Sequence, residues 1–160
     1  MATTINNTTI NSRLTIVFDA AGSSDGNGPA SGTGNTESDV YVDNTVYYNL
    51  RSHTEIDANV HAFQWNATTN TGELEFTDNR ENESISSIPQ WVANVVIRCE
   101  AEDIWQSAHD DNIQAQVNEL ISANPDLDKD TVPYDDLKSE AITAADTARN
   151  NYLSSHNITF

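Results

Sequence analysis

Three aspartates at alternate positions, Asp126, Asp128 and Asp130, are the residues of this chain whose type and spacing come nearest to a ligand-binding pattern. They lie between two apolar stripes of helical period. In that place they match the first half of a helix-loop-helix calcium loop, where alternate acids converge hard oxygen ligands on one cation. The second half departs from the pattern: Thr131 stands where the turn needs glycine, and Leu137 where a bidentate glutamate should close the shell. An acidic interhelical turn, with aspartates serving as caps, accounts for the same residues. The cation site is carried forward as a candidate and no other metal is expected.

The remaining reactive side chains form no constellation. None of His53, His61, His109 and His156 has another histidine or cysteine at metal-ligand spacing, which points away from zinc. No Gly-x-Ser-x-Gly context marks a serine as nucleophile, and among 25 acids no carboxylate pair stands out. The single cysteine, Cys99, excludes an intramolecular disulfide and sits inside an apolar helical stripe, where it reads as a core residue. The expectation is a protein that is not an enzyme and carries no cofactor.

Bulk charge narrows the partners. The net charge is −18, with 25 acids against 7 bases. Nucleic-acid surfaces must be electropositive, and anionic membranes repel such a chain, so neither is an expected partner. The acids are spread along all 160 residues, as on a solvated acidic surface rather than an acidic tail. Only Lys129 and Lys138 represent lysine, a bias that suits a saline medium in which screening relieves self-repulsion. The opening residues have neither the basic region nor the apolar run of a signal peptide, and no stretch of ~18 apolar residues occurs. A soluble protein without an evident export signal is expected.

The elements that would position these residues read as strands first and helices afterwards. Residues 1–12 are rich in Thr and Asn without apolar period, and read as a flexible arm. Leu14 to Phe18 is a short β-branched and aromatic run of the buried-strand type. Residues 20–39 hold five of the six glycines and read as a long loop, disordered or ordered by a partner. The glycine spacing fits no phosphate loop, and the acids there would repel such a ligand. Val40 to Leu50 gives a hairpin about Asp43-Asn44. A second pair follows, with Phe63 and Trp65 on one side of the first strand, Leu74 and Phe76 on one side of the next, and His61 sharing the Phe63 face as a structural histidine.

Ser87-Ile88-Pro89-Gln90 marks a helix start, and Ile88, Trp91, Val92, Val95, Val96, Cys99 and Trp105 continue at helical spacing to about Ser107. Ile113, Val117, Leu120 and Ile121 form a second stripe, ended by Asn124-Pro125. A third runs through Tyr134, Leu137, Ala141, Ala145, Ala148 and Tyr152. The fold class is therefore α+β: a small antiparallel sheet in the N-terminal half, then about three helices. The organisation expected is an arm at 1–12, a sheet domain with its covering helix at 13–110, and a helical hairpin at 111–160. Phe63, Trp65, Leu74, Phe76, Trp91 and Trp105 are the residues expected to pack or to form an interface.

The string Val60-His61-Ala62-Phe63-Gln64-Trp65-Asn66, followed by Gly72-Glu73-Leu74-Glu75-Phe76-Thr77-Asp78 and Asn82-Glu83-Ser84-Ile85, resembles a module of small tail-region proteins of tailed bacteriophages. The resemblance covers roughly residues 46–93 and implies a non-enzymatic virion structural protein, placed in the tail, baseplate or fibre region. It further implies other phage structural proteins as partners, a homo-oligomeric or multi-copy state in an assembly, and synthesis in the host cytoplasm before incorporation into the virion. Two other readings stay open. One is a tail-fibre assembly chaperone that does not remain in the particle, and the other an acidic DNA mimic that inhibits a DNA-binding enzyme.

Overall fold

A computed structural model describes residues 2–19, 37–51, 56–57 and 59–158. The chain divides into two compact units, Met1–Cys99 and Glu100–Phe160. The class is α+β with antiparallel sheets, as expected, but the described residues form two sheets and two α-helices in place of one sheet and about three helices.

Among the described residues the first unit holds eight strands. β1 (Thr3–Ile5) and β2 (Thr8–Ile10) make a separate hairpin, turning at Asn6, whose positive φ of 50° is one that asparagine tolerates. The larger sheet contains β3 (Arg13–Asp19), β4 (Glu37–Val42), β5 (Thr45–Arg51), β6 (Val60–Asn66), β7 (Thr71–Phe76) and β8 (Glu83–Ile85) in the order β5-β4-β3-β6-β7-β8. Two three-stranded meanders thus meet along their first strands, with Leu14 opposite Trp65 and Ile16 opposite Phe63.

Of the expected arm at 1–12, residues 2–12 are therefore not free. Ile5 and Ile10 are buried in the same core as Leu14, Ile16, Phe63 and Trp65, and the Trp65 indole Nε1 donates to Thr3 Oγ1 at 3.1 Å. Strands of three residues place only one or two apolar side chains inward, which is too few to register as a period. Of the expected loop at 20–39, Glu37 to Asp39 open β4; residues 20–36 lie outside the described residues. The β4–β5 hairpin turns at Asp43 and Asn44, with φ of 51° and 66°, as the residue types require. His53 also lies outside the described residues.

His61 is exposed, against the expected place beside Phe63. A bulge lies between Val60 and Ala62, which pair with Phe76 and Glu75. The extra residue turns Val60, rather than His61, to the Phe63 and Trp65 side. On that side Trp91 meets Phe63 edge-on at 5.6 Å between centroids and lies tilted on Phe18 at 5.8 Å. Val92, Val95, Val96 and Cys99 complete this core from the start of α1 (Gln90–Ala123), and Leu74 and Phe76 pack at its margin.

α1 is one helix of 34 residues, where a break after Ser107 was expected. Residues 107–112 carry no apolar stripe, so the period lapses there, yet they contain neither Gly nor Pro to stop a helix. Side-chain bonds one turn apart continue through them, as from Gln106 to Asp110 at 2.9 Å. The boundary between the units falls within this helix after Cys99, not at 110.

In the second unit, Ile113, Val117, Leu120 and Ile121 pack with Leu127, Val132 and Leu137. A 3₁₀ turn (Lys129–Thr131) leads into α2 (Tyr134–Ser155), which buries Leu137, Ala141, Ala145 and Leu153. Tyr134 is exposed rather than part of that stripe. α2 ends in a Schellman arrangement: Asn157 has φ 56°, the Ile158 amide donates to the Leu153 carbonyl at 2.9 Å, and the Ile158 side chain is buried.

Candidate functional site

The outward face of β3, β6, β7 and β8 forms a cleft of about 580 Å³ with polar walls. Strand alternation builds it. Trp65, Gly72 and Ile85 stand abreast in register and supply the floor, while their neighbours in sequence rise as walls: Gln64 and Asn66, Thr71 and Glu73, Ser84 and Ser86. Arg13, opposite Asn66 on β3, completes the rim.

The floor is held by close packing. A Cβ at Gly72 would stand 2.6 Å from the Gln64 carbonyl oxygen, 2.8 Å from Trp65 Cε3 and 3.2 Å from Ile85 Cγ1. Only glycine lets the indole lie across β7 at this point. The Arg13 corner is pinned by Asp43 in the β4–β5 turn. The Asp43 carboxylate accepts from the backbone N–H groups of Asn11 at 2.9 Å, Ser12 at 2.6 Å and Arg13 at 3.0 Å, and from the Ser12 hydroxyl at 3.0 Å. In return the Asp43 N–H donates to the Arg13 carbonyl at 2.8 Å. Desolvation pushes the Asp43 pKa up, but the backbone donors and the Ser12 hydroxyl together outweigh it and hold the group well below its ordinary 3.8.

The polar groups around the cleft divide into two cross-strand rows. In the row of Arg13, Asn66 and Thr71, the Asn66 Oδ1 is taken up by the Thr68 and Thr69 amides, so its Nδ2 donors and the Arg13 guanidinium remain. In the row of Gln64, Glu73 and Ser84, the Gln64 Nε2 donates to Glu75 at 2.7 Å and Glu73 Oε1 accepts from Asn82 at 2.6 Å. That leaves one acceptor oxygen on each of Gln64 and Glu73 and one N–H on Gln64. The first row offers mainly donors and the second mainly acceptors, with Thr71, Ser84 and Ser86 able to do either.

The second unit has its own polar cluster. Tyr152 Oη donates to Glu100 Oε2 at 2.6 Å, and Trp105 Nε1 to Asp146 Oδ1 at 2.8 Å. Arg149 bridges Asp146 at 3.0 Å and Glu102 at 3.3 Å. Trp105 also stacks on His109 at 5.0 Å, so it belongs to this cluster and not to the sheet core it was expected to extend. These bonds join α1 to α2 along a seam lined by alanines.

The three aspartates of the candidate cation loop are not brought together. Asp128 caps the 3₁₀ turn through the Asp130 N–H at 3.2 Å, and Asp126 and Asp130 are exposed. Among the described residues no three His, Cys, Asp or Glu side chains converge on a point. The expected packing residues Phe63 and Trp65 are buried, with Leu74, Phe76 and Trp91 partly buried against them. No described helix is long and apolar enough to cross a membrane.

The cleft was not anticipated. Alternation does name its outward residues on β6 and β7, but β8 is three residues long at the end of a polar run, with Ile85 its one apolar residue, and the cleft has no far wall without it. Comparison of the chain with protein-family models, with curated proteins and with solved structures finds no match.

Proposed function

We propose that this chain is a non-enzymatic structural component of a tailed-bacteriophage virion, in the tail, baseplate or fibre region, acting through protein–protein contacts. The observation that supports the reading is how the phage-like segment is used. Of its distinctive residues, Phe63 and Trp65 are buried, Leu74 and Phe76 close the margin of the same core, and Gly72 admits the Trp65 ring. The pattern is that of a scaffold whose conspicuous residues fit one another, with contacts to partners left to its polar faces and acidic helices. Other phage structural proteins are the partners, and the chain is present in several copies.

Mass spectrometry of purified particles tests the proposal. The chain is expected there at a fixed copy number relative to the major tail proteins. Its absence from particles, together with recovery bound to the fibre protein in infected-cell lysate, would replace the structural reading with the assembly-chaperone one.

A further inference from the structure

We propose that the cleft on the outward sheet face binds a neutral, polyhydroxylated ligand, namely a short oligosaccharide. The inference is independent of the virion reading and rests on what the lining can and cannot recognise.

The floor is made by β6, β7 and β8; β6 and β7 are paired on both sides, and a peptide strand added at the open edge of β8 would lie beside the cleft rather than across it. The walls are amides, hydroxyls, one guanidinium and one carboxylate, and the large apolar residues of the lining, Trp65 and Ile85, lie in the floor. The Glu73 carboxylate disfavours phosphate beside Arg13, and a single carboxylate does not make a cation site. What remains is recognition by side-chain hydrogen bonds from a row of donors, Arg13 and Asn66, facing a row of acceptors, Gln64 and Glu73. A hydroxyl group does both, accepting from the first row while donating to the second. Successive rings of an oligosaccharide can repeat that demand along the cleft from β3 to β8.

Size agrees. From β3 to β8 the cleft crosses three interstrand spacings, about 14 Å. Its 580 Å³ lies within the common range of small-ligand sites. Charge selects among saccharides: at a net charge of −18 the chain repels acidic ones, which favours neutral sugars. Trp65 forms the floor from below with its ring buried, so no aromatic face is offered for stacking. Affinity must then come from a few hydrogen bonds, giving a Kd on the order of 1 mM.

The test is an NMR titration of the full chain with maltotriose, cellotriose and chitotriose, following the side-chain amides of Gln64 and Asn66. Inorganic phosphate and trigalacturonate serve as anionic comparisons. At least one neutral trisaccharide is expected to shift both amides saturably, and Gln64→Ala and Ser84→Ala are each expected to weaken that binding about fivefold. Because the amide shifts are read on the unaltered chain, the answer does not depend on a variant folding. If no neutral trisaccharide moves these amides by ~20 mM, the proposal is overturned. Tighter binding of phosphate or trigalacturonate, or unchanged affinity in both folded variants, would overturn it equally.

Discussion

At Asp43 one short side chain closes two turns at once, because its carboxylate collects the amides that open β3 while its own backbone sits at the β4–β5 reversal. Asp43→Asn keeps the volume but sets an NH₂ group against backbone donors, and is expected to cost about 1–3 kcal/mol, measured by urea unfolding. The pH dependence follows from the direction of the shift. A carboxyl whose folded pKa lies below its ordinary 3.8 stabilises fully above that value, and the stabilisation is lost as pH falls below it. Thermal unfolding between pH ~6 and ~2 should therefore show a steeper acid loss in the parent chain than in Asp43→Asn. Gly72 makes a second residue-scale case. Gly72→Ala presses a methyl group onto the Gln64 carbonyl, and a loss of about 1–3 kcal/mol is expected in the same unfolding measurement.

At the scale of elements, the continuity of α1 is open to a direct check. Ala108→Pro falls within the helix, so it should cost about 3 kcal/mol or more and reduce the helical circular dichroism. Were the chain broken between Ser107 and Ile113, the same change would be nearly neutral. The helix was legible at its start, where Pro89 precedes Trp91 and the apolar stripe, and illegible at 107–112, where the half-buried positions, Ala108, His109 and Asn112, are small or polar and so leave no apolar period. The strands divide in the same way. β3, β6 and β7 are long enough for alternation to show, and Asp43-Asn44 announces its turn. β1, β2 and β8, each of three residues, offer no period to read. The bulge at His61 is invisible for another reason: a one-residue slip is decided by pairing with β7, not by the residues of β6. The cleft was hidden with β8, because its chemistry is spread over ordinary polar residues that only register sets side by side.

For the whole molecule, a charge of −18 on 160 residues sets a self-repulsion that salt should relieve. Raising sodium chloride from ~0.1 to ~1 M shortens the screening length from about 10 to 3 Å, and the melting midpoint is expected to rise, as read by calorimetry. A flat or falling midpoint would show that charge is not a principal load on the folded state.

The meeting of two meanders along β3 and β6 has a kinetic consequence. The connections of β6–β7–β8 are short, residues 67–70 and 77–82, so its loops close at small entropic cost and its pairing can form locally. β3 must instead find β6 across a long stretch of chain, bringing Ile16 to Phe63, before both halves share one core. That docking is expected to be the slow event. Phe63→Leu should slow refolding, whereas a change at the edge, such as Ile85→Val, should chiefly hasten unfolding, a difference that stopped-flow kinetics would resolve. The stretch from Val60 to Ile85 is then the half able to take shape first, serving as a template on which the remainder of the sheet condenses.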